Sequence, residues 1–206
     1  METQRILKYI IYAMSLPHIV MSKVAEHLKI ESLEIDLHRC LEVIDIHGMS
    51  VPPVFVEALI TAEDHRSNLH PGIDPIAMLR ALKERISKGN IQGASTIEQQ
   101  FVRVVTARYE CTISRKIREQ MLAISLSNRR PKPAIASAYM SIAFFGSGCI
   151  GLKGLKRQFG SDLTKVSDGQ ALKFVAQLKY PRPLVPSATW QMKIDRRVRI
   201  LSNMRA

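Results

Sequence analysis

Cysteine is scarce. Cys40, Cys111 and Cys149 are odd in number and far apart, which argues against a zinc-ligand cluster or a complete disulfide framework and leaves them as buried small hydrophobes. No apolar run reaches the ~20 residues that a membrane-spanning helix needs. The nearest, Ile10 to Leu16 between Lys8 and Lys23, is broken by Pro17 and His18. Arg5 and Lys8 resemble the start of a signal peptide, yet no small-residue cleavage site follows, so the stretch reads as an interfacial or core helix. Internal repeats and low-complexity tracts are absent as well. Acidic residues are few: 18 Asp+Glu stand against 30 Lys+Arg, a net charge of +12. Such an excess implies an anionic partner, whether nucleic acid, anionic lipid or a phosphorylated substrate.

What is present is a globular pattern. The 206 residues suit one domain with room for a small lobe, and a hydrophobic content of 46% in periodic array supports a packed core. Residues 2 to 29 read as two short helices meeting at Pro17. From Leu33 to Ile46 the pattern partly alternates, which allows a strand or hairpin as easily as a helix. Val51-Pro52-Pro53 forces an extended entry into a helix that ends near Glu63. Asp74-Pro75 starts another helix, closed by Gly89-Asn90. Ser95-Thr96-Ile97-Glu98 has capping-box spacing for a helix reaching about Ala107. Ser114 opens the next, to about Ser127, and a helix carrying Ile135, Tyr139 and Ile142 leads to a glycine-rich loop, Gly146 to Gly151. Ser167 to Gln170 repeats the capping-box spacing before Ala171 to Leu178. Pro181, Pro183 and Pro186 form a stiff connector, and a basic last helix holds Arg196, Arg197 and Leu201. The chain is expected to be mainly α, divided into an N-terminal segment over residues 1–50 and a main domain over 51–206.

Three stretches could carry chemistry. Glu63 and Asp64 arrive at a helix end where the pattern collapses into His65, Asn68, His70, Pro71 and Gly72, so a rigid element delivers carboxylates to an irregular loop. On the helix after Ser95 and Thr96, Ile97, Phe101, Val104 and Val105 share one face, which puts Gln99, Gln100 and Arg103 on the other. Two amides beside an arginine suit sugar hydroxyls and a phosphate. Arg115 and Lys116 lie four and three residues before Glu119. They make either an ordinary surface ion pair, worth ~0.2–0.5 kcal/mol, or a carboxylate held beside two cations that bind a diphosphate. Lys132, Arg196 and Arg197 are further cations for the same anion. Two carboxylates with such a set fit glycosyl transfer from a diphosphate-linked sugar: one deprotonates the attacking hydroxyl while cations or a metal stabilise the leaving group. The logic parallels that of inverting glycosidases.

Glu63-Asp64 with His70 and Gly72, Gly93 to Ile97 with Gln99-Gln100, Arg115-Lys116 with Glu119, and Arg196-Arg197 with Ile200-Leu201 resemble, in order, the motifs of the peptidoglycan glycosyltransferases, glycosyltransferase family 51. The resemblance spans roughly Val51 to Met204, with Phe144-Phe145-Gly146 and the loop Gly148 to Gly151 in register. It implies a mainly α, lysozyme-like helical domain with a small membrane-facing jaw lobe, acting on lipid II, the undecaprenyl-diphosphate-linked disaccharide peptide, and on the growing glycan chain. It makes Glu63 the general base on the acceptor 4-hydroxyl and Glu119 the second essential carboxylate. Asp64, His70, Ser95, Thr96, Gln99, Gln100, Arg103, Arg115, Lys116, Lys132, Arg196 and Arg197 become substrate-binding residues. A divalent cation assists some members, so magnesium is the one cofactor the resemblance admits, although no ligand cluster in the sequence calls for it.

The sequence also departs from the family. Ser67 stands where an aromatic is usual, Arg103 where lysine is usual, Val104 where asparagine is common, and Cys111 where a basic residue is often found. Ala136, Ser137, Met140 and Ser141 replace leucines and polar anchors of the fourth motif. The expected function is a monofunctional enzyme polymerising lipid II and releasing undecaprenyl diphosphate, with a catalytically weak relative that binds lipid II or glycan as the alternative. A lysozyme-like hydrolase is a further possibility. A nucleic-acid partner is not expected, because no helix-turn-helix or RNA-binding signature accompanies the basic residues. The resemblance places the chain at the outer, periplasmic face of a bacterial cytoplasmic membrane, peripheral or weakly anchored to an anionic surface, with other cell-wall synthesis proteins as candidate partners.

Overall fold

A computed structural model describes residues 2–89 and 93–205. Among these residues the chain is mainly α: helices α1 (Glu2–His27), α2 (Glu31–His47), α3 (Pro53–Glu63), α4 (Pro75–Lys88), α5 (Ile97–Thr106), α6 (Ile113–Arg129), α7 (Lys132–Ile142), α8 (Gly151–Phe159), α9 (Asp168–Val175) and α10 (Ala188–Asn203). Between α7 and α8 stands one hairpin of β1 (Phe144–Gly146) and β2 (Cys149–Ile150). The chain groups into two compact units that interleave in sequence, residues 1–42 with 66–132 and residues 43–65 with 133–206.

In the first unit, α1 is continuous and not two helices meeting at Pro17. An interior proline costs about 3 kcal/mol. It is offset by a stripe of Ile11, Ser15, Ser22 and Ala25 that is buried along the whole helix. Ser22 reaches α6, where its hydroxyl donates to the Met121 carbonyl at 3.1 Å and lies 2.9 Å from the Ser125 hydroxyl. The same Ser125 donates to Glu26, which in turn pairs with Arg129. The stretch from Leu33 to Ile46 is helical, resolving the choice between strand and helix. Its buried positions are Leu33, Asp36, Cys40 and Ile44, spaced three and four apart, whereas Ile35, which made the alternation, is 46% exposed. Asp36 accepts from Arg118 and pairs with Arg108, fastening α2 to α6 and to the loop before it.

α4 begins as expected: the Asp74 carboxylate accepts from the Ala77 N–H at 3.0 Å and Pro75 fills the first turn. Gly89 closes it in the left-handed region, while Asn90, expected to share that role, lies outside the described residues. The cap of α5 is shifted by one residue from the expected box. Thr96 accepts from the Gln99 N–H and the Gln99 side chain returns to the Thr96 N–H, so Gln99 and not Glu98 completes it. α6 starts at Ile113 under a Thr112 cap, one residue ahead of the expected Ser114 opening.

In the second unit α3 and α9 pack together around an aromatic cluster. Phe174 meets Phe145 at 4.3 Å, Phe159 at 5.8 Å and Phe55 at 6.1 Å between ring centroids. Four of the six phenylalanines are thus spent in one place. The glycine-rich loop proves to be the hairpin. Arg182, from the proline connector, donates to the Phe145 carbonyl at 2.9 Å and accepts from the Ser147 N–H at 2.7 Å, so the connector docks on it. Helix α8 was not legible in the sequence, since two glycines weaken its pattern. Gly154 is needed because a Cβ there would meet the Cys149 backbone at 2.9 Å. Cys40 and Cys149 are buried as expected, but Cys111 is exposed.

Candidate functional site

The residues expected to carry chemistry fall in both units. In the first, Glu119 on α6 is only 3% exposed, which rules out an ordinary surface pair. Three cations surround it. Arg103 from α5 donates through Nη2 to Oε1 at 3.0 Å and through Nε to Oε2 at 3.2 Å. Lys116 donates to Oε1 at 2.7 Å, and Arg115 donates to Oε2. One carboxylate against three cations leaves a local excess of two positive charges, and only burial of the acid explains why they converge.

The N-terminus of α5 enters the same cluster. The Ser95 hydroxyl accepts from Arg103 at 3.2 Å and from Lys116 at 3.1 Å, and the Gln99 carbonyl oxygen lies 3.4 Å from Lys116. Gln99 is fully buried in its cap and not on a solvated face, and its Nε2 has no hydrogen-bond partner among the described residues. Gln100 is half-buried, with its amide 3.5 Å from the Ser95 carbonyl. Burial pushes the Lys116 ammonium pKa down; Glu119 pulls it back up and Arg103 and Arg115 lower it again, for a net value below that of an ordinary lysine.

Beside it lies a second polar knot. Thr96 donates to the Gly72 carbonyl at 2.7 Å, and the Gly72 N–H donates to Nδ1 of the buried His70 at 3.1 Å. Gly72 sits at φ 112°, and a Cβ there would lie 2.5 Å from the Ala123 carbonyl oxygen, so glycine alone fits. Lys132, opening α7, lies 3.3 Å from that same Nδ1 and donates to Glu98. Glu98 is a functional candidate that the sequence reading missed. The signal was there in Thr96-x-x-Gln99, which matches the capping pattern as well as Ser95-x-x-Glu98 does and frees Glu98 for another role.

In the second unit Glu63 closes α3, and Asp64 is its buried C-cap. Arg197 on α10 brings Nη2 to 3.8 Å from Glu63 Oε1 and donates to the Ala62 carbonyl. Arg196 is exposed, a step away around the helix. Of the expected arginine pair, the structure therefore brings Arg197 to Glu63 and leaves Arg196 outward. Arg205, not anticipated, pins the same helix end by donating to Thr61 at 2.9 Å and pairing with Asp168.

Comparison with known proteins identifies the family. A family model described as Transglycosylase matches residues 38–205. The chain belongs to the transglycosylase family. Its relatives include penicillin-binding protein 1A of Haemophilus influenzae, 33% identical over 156 residues, covering 75% of this chain and 18% of that protein. The Escherichia coli protein of the same name is 31% identical over 156 residues, covering 75% and 18%. That of Streptococcus pneumoniae is 29% identical over 166 residues, covering 79% and 23%. The chain thus spans about a fifth of the length of these relatives. The mainly α structure is consistent with the lysozyme-like fold expected for a transglycosylase domain. A magnesium ion does not fit at Glu119, because both carboxylate oxygens already accept from cations and two excess positive charges would oppose it.

Proposed function

We propose that this transglycosylase-family chain is a peptidoglycan glycosyltransferase that polymerises lipid II into glycan strands with release of undecaprenyl diphosphate. The observation that carries the reading is the Arg103, Arg115 and Lys116 cluster around buried Glu119. A carboxylate fixes three cations in advance, and their surplus charge is available to an anion without reorganisation when the diphosphate departs. In this reading Glu119 orients the cations and is the second carboxylate of the reaction. The role of Glu63 as general base on the acceptor 4-hydroxyl rests on the family. Its own surroundings support it: a half-buried carboxylate at a helix end, with Arg197 3.8 Å away to hold it in place. Asp64, His70 and the cap residues Ser95, Thr96, Gln99 and Gln100 would shape the sugar and phosphate contacts.

The alternative, a weak relative that only binds lipid II or glycan, draws on the altered fourth motif. Ser137 there is buried, donates to the His47 carbonyl at 2.8 Å and accepts from the Val51 N–H at 3.1 Å. Ser141 donates to the Ser137 carbonyl. These serines tie backbone in the second unit, so their presence is compatible with an intact site and favours the enzyme.

No helix among the described residues is long and apolar enough to cross a membrane. Peripheral attachment at the outer face of the cytoplasmic membrane is supported by α1, which turns Ile6, Tyr9, Leu16, Val20 and Val24 outward, and by Lys8 and Lys23 flanking its uncharged middle. Incubating the protein with lipid II and resolving products by size tests the function. Longer products support the polymerase, unchanged lipid II with saturable binding supports the binder, and shortening of added glycan supports a hydrolase.

A further inference from the structure

Three further buried carboxylates of the first unit, Asp36, Asp74 and Glu98, have no part in that reading. Asp74 caps α4, and Asp36 accepts from Arg118 and pairs with Arg108, tying α2 to α6 and to the loop before it. Glu98 differs. It is 1% exposed, and Oε1 accepts from Lys132 and lies 3.4 Å from the Ser127 hydroxyl, while Oε2 has no partner among the described residues. Native structures rarely leave a buried carboxylate oxygen unmet, since desolvating it is costly. Nor is a buried ion pair a dependable source of stability against an apolar pair of like size. Lys132 keeps 17% of its side chain exposed in front of a carboxylate that has 1%. A ligand would therefore meet the lysine and not the acid.

The ammonium has three N–H donors. One goes to Glu98, and the ammonium nitrogen also lies 3.3 Å from His70 Nδ1, which accepts from the Gly72 N–H. One donor remains. Glu98 also lies in the stretch Ser95 to Gln99 whose other members receive Lys116 and Arg103, which places Lys132 beside the same cap. Burial, the largest single influence, would raise the Glu98 carboxyl pKa, but the Lys132 and His70 charges and the hydrogen bonds to the carboxylate together hold the group below its ordinary value.

We propose that Glu98 is a positioning residue of the anion site, fixing the Lys132 ammonium so that its remaining N–H serves a phosphate oxygen of the departing diphosphate. The inference rests on the glycosyltransferase reading for the identity of the anion. It does not make Glu98 a catalytic residue, because the carboxylate acts through Lys132. A lysine held in place contributes most where charge develops, at departure and not in the ground state.

The test compares wild type, Glu98→Gln, Lys132→Met and the double variant, each checked for folding by thermal melting. Glu98→Gln is expected to lower kcat on lipid II about ten- to a hundredfold, with lipid II affinity unchanged. In the Lys132→Met background the same change should have no effect on kcat. Wild-type kcat in Glu98→Gln, or an equal loss in both backgrounds, overturns the proposal. Should Glu98→Gln fail to fold, the double variant, which buries no unpaired charge, decides: turnover equal to wild type overturns it and turnover reduced as in Lys132→Met supports it. If wild type itself elongates no lipid II, the function fails separately. Inorganic pyrophosphate affinity then reads the inference: Glu98→Gln should weaken it severalfold only where Lys132 is present, and an unchanged affinity, or equal shifts with and without Lys132, overturns it.

Discussion

Glu63 and Lys116 make opposite demands on their surroundings. As the proposed base, Glu63 must accept a proton at the end of α3, where Arg197 lies 3.8 Å away. Glu63→Gln keeps the shape and removes the proposed base, so polymerisation should fall roughly 10²–10⁴-fold while melting temperature and lipid II affinity stay near wild type. Retained turnover in that variant would remove Glu63 from the chemistry. Lys116 is partly desolvated, and its lowered pKa sets a pH limit. Below that pKa the ammonium is present and an anion is held fully. As pH rises through it, earlier than for a solvated lysine, the charge is lost and the anion is released. Titrating pyrophosphate affinity from neutral to alkaline pH should show this decline, and Lys116→Ala should abolish it along with most of the turnover. An identical alkaline limb in Lys116→Ala would assign the titration to another group.

At the scale of the element, a helix end is the unit from which the site is made. Thr96 caps α5 by accepting from Gln99 and also donates to the Gly72 carbonyl. Thr96→Ala should therefore cost about 1–2 kcal/mol by chemical denaturation and weaken anion binding with it. Loss of stability without any loss of binding would separate the cap from the site. Ends marked by strong local chemistry were readable in the sequence, including Asp74-Pro75 and Ser167-x-x-Gln170, where one cap signal has no rival nearby. At Ser95-Thr96 two overlapping boxes competed, and burial of Gln99 decided the register. The continuity of α1 through Pro17 could not be read locally, since it depends on a stripe packed against α6 from far along the chain. For the same reason α8 was invisible: its glycines look like loop until Cys149 is known to lie against Gly154. Motif residues such as Glu119 could be named from the sequence, but that it would be buried among three cations could not.

For the whole molecule, the two interleaved units mean that pieces distant in sequence complete each core, which local patterns cannot reveal. The +12 charge is likewise a property of the whole, and its expected consequence is binding to anionic vesicles that weakens as salt shortens the screening length to about 8 Å at 0.15 M. Replacing the exposed Leu16, Val20 and Val24 by Ser should reduce that binding while leaving melting temperature nearly unchanged, because none of the three is buried. Vesicle binding that ignores both salt and these replacements would contradict peripheral attachment through α1. The central claim is that the molecule joins lipid II units into glycan. It is tested most directly by resolving the products of lipid II incubated with wild type and with Glu63→Gln side by side. The account predicts lengthening glycan with wild type, and none with the variant, which still binds lipid II. Saturable lipid II binding by wild type with no product longer than the substrate would contradict it.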